Sequence, residues 1–267
     1  MSRIIYTPEV KKRKRSSPKK IILAVGVFFL IIFILAVIIY LLRLPALQIK
    51  KIEIDGNYAI EKLGIEDKIN EYLTGSYFYF IPKKNYFLAR PAAIEKTLLE
   101  TFLRIGGATI QKKPFNGIAV EIRERELWAI YCSQKCFFID KSGFMYEEAF
   151  TNSGNLIRIV KTDNEKLGIG GYALTEETIN IFTRLEEKIN LSGLGPVMEY
   201  NLSLKSPGEI KIKTGEGFYL ELSLDDDFNR VFMILETVLN EEIKEKRGNL
   251  DYIDLRFGQK VFYKYKK

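Results

Sequence analysis

Residues Ile21–Leu42 read IILAVGVFFLIIFILAVIIYLL, a run without charge or proline and with a single glycine, Gly26. At ~1.5 Å rise per residue such a helix is about 33 Å long, enough to cross the ~30 Å hydrocarbon core of a bilayer. Before it stand Arg3, Lys11, Lys12, Arg13, Lys14, Arg15, Lys19 and Lys20 against one acid, Glu9. Flanks on the cytoplasmic side carry such an excess, so residues 1–20 are expected inside and everything after Arg43 outside the cytoplasmic membrane. A cleaved signal peptide is the competing reading. Its apolar region would be about 7 to 15 residues and would end in a small-x-small site. The run here is longer, and Arg43-Leu44-Pro45-Ala46-Leu47 has no such site.

The whole chain holds 41 basic and 34 acidic residues, a net of +7. The first twenty residues alone account for that excess, so the remainder is neutral. The basic character therefore belongs to the tail, where it sets topology and attracts anionic lipid, and it gives no exported nucleic-acid site. No later stretch is long and apolar enough for a second span.

Outside the membrane, residues 43–50 read as a linker. Then Ile52-Glu53-Ile54-Asp55 alternates as a strand starting near Lys50 or Lys51 and runs into the turn signal Gly56-Asn57. A helical stretch follows with Ile60, Leu63, Ile65, Ile69 and Leu73 apolar, ending at Thr74-Gly75. After the run Tyr77–Ile81, a second helix is expected from Arg90 or Pro91 to about Leu103, with Pro91 suited to its first turn and Gly106-Gly107 stopping it. Strands over Ala108–Lys112 and Ile118–Arg123 complete a β-α-α-β-β order in 51–124.

From Arg125 to Lys267 short strands alternate with turns. Candidates are Ile157–Val160, Met198–Leu204, Glu209–Lys213, Phe218–Leu222, Tyr252–Phe257 and Lys260–Tyr265. Two helices interrupt them, Thr175–Ile189 with Thr175 as cap, and Phe228 to about Lys246 with an apolar face. Only two cysteines are present. Cys132 and Cys136 flank Ser133-Gln134-Lys135 in an expected hairpin, which brings them near one another across the strands. Outside the membrane a disulfide is permitted there, and two reduced strand cysteines fit the sequence equally. The fold class is thus α+β: one N-terminal transmembrane helix, a small β-α-α-β-β domain, and a larger, mostly antiparallel β domain with two helices.

Together these features resemble the FtsQ/DivIB family of bacterial cell-division proteins. The resemblance is carried by the basic tail, the span, Ile52-Glu53-Ile54-Asp55-Gly56-Asn57 and the β-α-α-β-β unit, which in that family is a POTRA domain. It continues through Glu124-Arg125-Glu126-Leu127-Trp128-Ala129, similar to the family's E-R-x-P-x-A pattern with Leu127 in place of Pro. Asp140-Lys141-Ser142-Gly143 resembles its aspartate-two-residues-glycine hairpin, and Ile253-Asp254-Leu255-Arg256-Phe257 its I-D-L-R-F strand. The resemblance implies a non-enzymatic scaffold at the division septum. It would bind FtsB-like and FtsL-like proteins through the β domain and other septal membrane proteins through the POTRA-like domain.

The last strand offers a physical route for docking. At a sheet edge, Val261–Tyr265 would present free N–H and C=O groups to an incoming strand, with Val261, Phe262, Tyr263 and Tyr265 supplying apolar contact. A buried terminal strand with no partner is the alternative. Arg256 either faces a partner or pairs with Asp254 or another carboxylate across the sheet.

Catalytic chemistry has little footing. The chain has no histidine, so His-based general-base chemistry, Ser-His triads and His metal ligands are excluded. Gly168-Ile169-Gly170-Gly171 lacks the lysine of a phosphate-binding loop and reads as a turn. Asp225-Asp226-Asp227 is the densest acidic cluster, and its position before Phe228 suits a helix cap better than a metal or acid–base site. No cofactor, metal or catalytic residue is expected. The competing function class is a membrane-anchored cell-wall enzyme or glycan-binding module using exposed aromatics and carboxylates.

Overall fold

The computed structural model describes residues 18–149, 158–163 and 167–267. The basic cluster before residue 18 and the start of the strand expected at Ile157 lie outside them. Among the described residues one helix is long and apolar enough to cross a membrane, α1 (Pro18–Leu42), with its apolar window at Ile22–Leu42 and none of that window buried. A single turn of 3-10 helix, Pro45–Leu47, follows it.

The described chain divides into two compact units. One runs to Asp55 and also takes in Lys62–Thr97 and Thr109–Glu121; the second holds Gly56–Glu61, Leu98–Ala108 and Ile122–Lys267. The segment 51–124 contributes to both. Its order is β1 (Lys51–Asp55), α2 (Lys62–Thr74), the short strands β2 (Ser76–Tyr77) and β3 (Ile81–Pro82), α3 (Pro91–Thr101), β4 (Ile105–Lys113) and β5 (Gly117–Glu124). The sheet order is β1-β5-β4, with β1 parallel to β5.

In the first unit Ile65, Ile69 and Leu73 recur every four residues on one face of α2 and are buried, as are Ile54, Ile94, Ile118 and Val120. Leu63, expected in the same stripe, is 70% exposed, because the helix begins only at Lys62 and its spacing turns Leu63 outward. Gly106 and Gly107 do not stop α3, which ends at Thr101, but lie inside β4. A Cβ on Gly106 would stand 3.1 Å from Arg125 Cγ, and one on Gly107 3.2 Å from Arg123 Nη2, so two arginines fill the space that side chains would need.

The second unit is built on a nine-stranded sheet. Its strands are β6 (Ala129–Cys132), β7 (Cys136–Ile139), β8 (Met145–Glu148), β9 (Ile159–Thr162), β10 (Glu199–Leu202), β11 (Glu209–Lys213), β12 (Tyr219–Ser223), β13 (Leu250–Phe257) and β14 (Lys260–Tyr265). The spatial order is β14-β13-β12-β11-β10-β9-β6-β7-β8. Most joins are antiparallel; β6–β9, β9–β10 and β12–β13 are parallel.

Parallel neighbours need a crossover, and for β9–β10 and β12–β13 a helix provides it. Between β9 and β10 runs α4 (Glu176–Leu191), and between β12 and β13 runs α5 (Phe228–Val238). Thr175 caps α4, its hydroxyl accepting from Thr178 N–H at 3.2 Å, with Glu176 and Glu177 in the first turn. Phe182 and Leu185 of α4 and Val231, Phe232 and Leu235 of α5 share one core with Tyr200, Ile212, Leu220 and Ile253 of the sheet. The regular helix expected to run to Lys246 ends at Val238. A π-turn over Leu239–Ile243 keeps Leu239 and Ile243 buried, and Lys244 then adopts φ +48°, which a right-handed helix does not accommodate.

Candidate docking edge

At one end of the nine-stranded sheet β13 and β14 form a hairpin, with Ile253 opposite Tyr263 and Asp254 opposite Phe262. Phe257 and Lys260 pair across a two-residue turn whose first central residue, Gly258, has φ +69°, a conformation that costs glycine little. Among the described residues β14 has β13 as its sole strand neighbour. The opposite edge, β8, is different. There Met145 N–H donates to Gly171 O at 2.8 Å and Gly170 N–H to Met145 O at 2.8 Å, so the segment after Gly168 covers it. Of the two sheet edges, β14 is the one with a row of backbone groups facing outward.

Exposure, rather than alternation alone, separates the side chains of β14. Val261 and Tyr265 are half-buried and pack on the core of the second unit. Tyr263 is 40% and Phe262 52% exposed. Tyr263 meets Tyr265 edge-on at 5.7 Å between ring centres, and on the other face Phe262 meets Phe257 edge-on at 5.4 Å. The sequence groups Val261, Phe262, Tyr263 and Tyr265 together. The structure uses Val261 and Tyr265 largely to seat the strand and leaves Phe262 and Tyr263 outward.

Arg256 is already engaged within the chain. Its Nε donates to Asp254 Oδ1 at 2.9 Å and its Nη2 to Asp254 Oδ2 at 2.6 Å and Glu221 Oε2 at 2.9 Å, while Nη1 pairs with Glu209. The guanidinium thus ties β13 to β12 and β11. The hydrogen bond it donates to Asp254 heads the causes that raise its pKa further. Burial alone would raise the Asp254 carboxyl, but hydrogen bonds from the Arg256 side chain and backbone hold it below its ordinary value.

The other residues singled out in the sequence have internal partners too. Glu124 accepts from the N–H groups of Tyr58, Ala59 and Ile60 at 2.7, 2.9 and 3.1 Å and from Arg104 at 3.3 Å. Burial works against that carboxylate, and the three backbone donors still lower its pKa. Asp227 caps α5, its Oδ1 accepting from Asn229 N–H at 3.0 Å. Cys132 and Cys136 stand opposite each other in the β6–β7 pair and form a disulfide, Cα to Cα 4.1 Å. Sequence reasoning did not pick out Arg158, whose guanidinium lies 4.8 Å over the Trp128 ring and bonds Trp128 O and Glu186. Nothing in its local sequence marks it. Among the described residues no three His, Cys, Asp or Glu side chains form a group able to hold a metal.

No family model matches the chain. It is 26% identical over 258 residues to the cell division protein DivIB of Clostridium botulinum strain Hall, covering 94% of this chain and 93% of that protein. The cell division protein DivIB of C. botulinum strain Loch Maree matches at the same identity and coverage. This chain, with an N-terminal apolar helix long enough to cross a membrane and a mixed α+β fold, is thus similar to these cell division proteins DivIB along nearly the whole of both lengths.

Proposed function

We propose that the protein is a non-enzymatic scaffold of the division machinery, anchored with its N-terminus in the cytoplasm and its β domain, residues 125–267, outside the cytoplasmic membrane at the septum. The β14 edge receives an extended segment of an FtsB-like or FtsL-like partner as an added strand, and this docking controls septum assembly. The POTRA-like segment 51–124 takes part in recruitment through other septal membrane proteins. The observation that supports this reading best is the contrast between the two sheet edges: β8 is covered by its own chain, whereas among the described residues β14 is bordered by no further strand and leaves Phe262 and Tyr263 exposed. Backbone pairing along such an edge supplies affinity, and alternate side chains supply specificity.

The test uses the full chain in nanodiscs and the exported parts of FtsB-like and FtsL-like proteins. Tyr263→Asp is expected to weaken binding at least tenfold while the circular dichroism spectrum stays unchanged, and Asp226→Asn is expected to leave binding intact. Normal binding by folded Tyr263→Asp would remove the β14 docking mechanism. Normal division with Tyr263→Asp and loss of division with Asp226→Asn would favour a carboxylate-using wall enzyme instead.

A further inference from the structure

In the first unit two turn tips carry bulky aromatics in backbone conformations that usually belong to glycine or asparagine. In the β2–β3 turn Phe80 N–H donates to Tyr77 O at 3.2 Å, and the central residues Phe78 and Tyr79 have φ +50° and +65°. Between β4 and β5, Phe115 and Asn116 both have φ +61°. Positive φ at two central positions is the type I′ pattern, for which Asn-Gly is the favoured pair. A phenylalanine or tyrosine there is an outlier, and such outliers cluster where function constrains the chain. Nor does packing within the protein account for them: Phe78, Tyr79 and Phe115 are 85%, 92% and 97% exposed.

Both tips are tied to the chain just as it leaves the span. Arg43, the residue after α1, donates from Nε to Phe80 O at 2.9 Å. Asn85 Nδ2 donates to the carbonyl of Leu42, the last residue of α1, at 2.9 Å. The second tip is held in the same way, for Asn116 Nδ2 donates to Ala46 O and Lys50 N–H to Asn116 O at 2.9 Å. The aromatic tips are therefore fixed within one side chain's reach of residues 42–50, the level at which the apolar helix gives way to headgroups. Lys83 and Lys84 follow the first tip and Lys113 precedes the second.

We propose that Phe78, Tyr79 and Phe115 enter the headgroup–acyl boundary of the outer leaflet, making a second membrane contact that fixes how the first unit stands on the bilayer. Aromatic rings concentrate at that boundary, and neighbouring lysines favour anionic lipid phosphates. The occupant is the membrane surface around the protein's own span, so the inference rests on α1 crossing the bilayer.

Spin labels in the full chain test it. The two cysteines are bonded to each other, so a single introduced cysteine is the unique labelling site. Tyr79→Cys, Phe115→Cys and the span reference Leu35→Cys would be labelled in nanodiscs of phosphatidylethanolamine and phosphatidylglycerol. Collision with oxygen would be compared with collision with a water-soluble nickel chelate. The expected ratio of oxygen to nickel accessibility at residues 79 and 115 is several-fold above that of free label in buffer and below that at the deeper Leu35 position. Nickel-accessible labels at 79 and 115 beside a lipid-buried label at 35 would overturn the aromatic contact alone. Labels screened from both reagents would show a protein covering the tips and would also overturn it. A nickel-accessible label at 35 would overturn the span and the contact together.

Discussion

Arg125 reaches fifteen residues along the chain to Asp140, with Nη1 2.5 Å from Oδ2. The same guanidinium donates to Leu103 O at 3.0 Å and lies 4.2 Å over the Phe144 ring. Asp140 also accepts from Ser142 N–H, Ser142 Oγ and Phe144 N–H. Burial opposes the charge on Asp140, but the bonds from Ser142 and Arg125 hold its pKa below the ordinary value of 3.8. A carboxyl lowered in the folded state contributes stability that is whole above its unfolded pKa and is lost as pH falls through the folded one. Arg125→Ala is therefore expected to cost about 2 kcal/mol near neutrality, and the difference from the parent should shrink below pH 3.8. Urea unfolding of both proteins across that range checks it; a difference that ignores pH would mean the ion pair is not its source.

Arg256 supports a second expectation, because it pairs with three carboxylates of which Asp254 is 6% exposed. Arg256→Ala is expected to cost at least about 2 kcal/mol, since it leaves a buried carboxylate without its cation. Arg256→Lys should recover only part of this, because a point charge cannot bond both Asp254 oxygens and Glu221 together. Thermal unfolding reads the effect. If Arg256→Ala melted like the parent yet lost partner binding, the residue would face the partner rather than the sheet.

The disulfide should matter less for docking. Closing so short a loop is worth about 2 kcal/mol in the loop-entropy account, and four strands lie between the β6–β7 pair and β13 in the sheet. The double variant Cys132→Ser, Cys136→Ser is expected to melt lower while binding partners with unchanged affinity. Loss of affinity in a folded double variant would show that the two ends of the sheet are coupled.

At the β2–β3 turn, replacing Phe78 by Asn and Tyr79 by Gly should stabilise the hairpin by about 1 kcal/mol, because those residues accept positive φ more readily. Amide exchange between Gly75 and Lys83 in detergent is expected to slow by roughly fivefold. Faster exchange would mean that the aromatic rings stabilise the turn in the absence of a membrane.

Much of this fold is written locally. The span is a property of one uninterrupted run, β1 and β5 announce themselves by alternation, and α4 shows both its cap and its face. Sequence reading fails where a distant contact decides. Gly106 and Gly107 look like a helix stop until Arg125 and Arg123 are seen filling their space, and the end of α5 depends on how Leu239 and Ile243 meet the core. The candidate docking edge is legible as a terminal strand with aromatics. Which of those aromatics point outward required the register against β13. The short motifs were visible as residues but not as pairs: Glu124 finds its donors more than sixty positions earlier, and Arg125 and Arg256 use their charges within the protein.

The joins in the sheet are of two kinds, and the one beside the β13–β14 hairpin is parallel. The β13–β14 hairpin meets the rest of the sheet through one parallel seam, Tyr219–Glu221 against Tyr252–Asp254, and Arg256 spans that seam by binding Glu221 and Asp254 at once. Opening the hairpin breaks this seam and also withdraws Leu250, Ile253 and Leu255 from the core shared with α4 and α5. A strand added to β14 binds only the closed form, so by mass action it must slow amide exchange across β12 and β13 as well as on β14. Weakening the clamp would, reciprocally, lower partner affinity by the fraction of time the hairpin spends open.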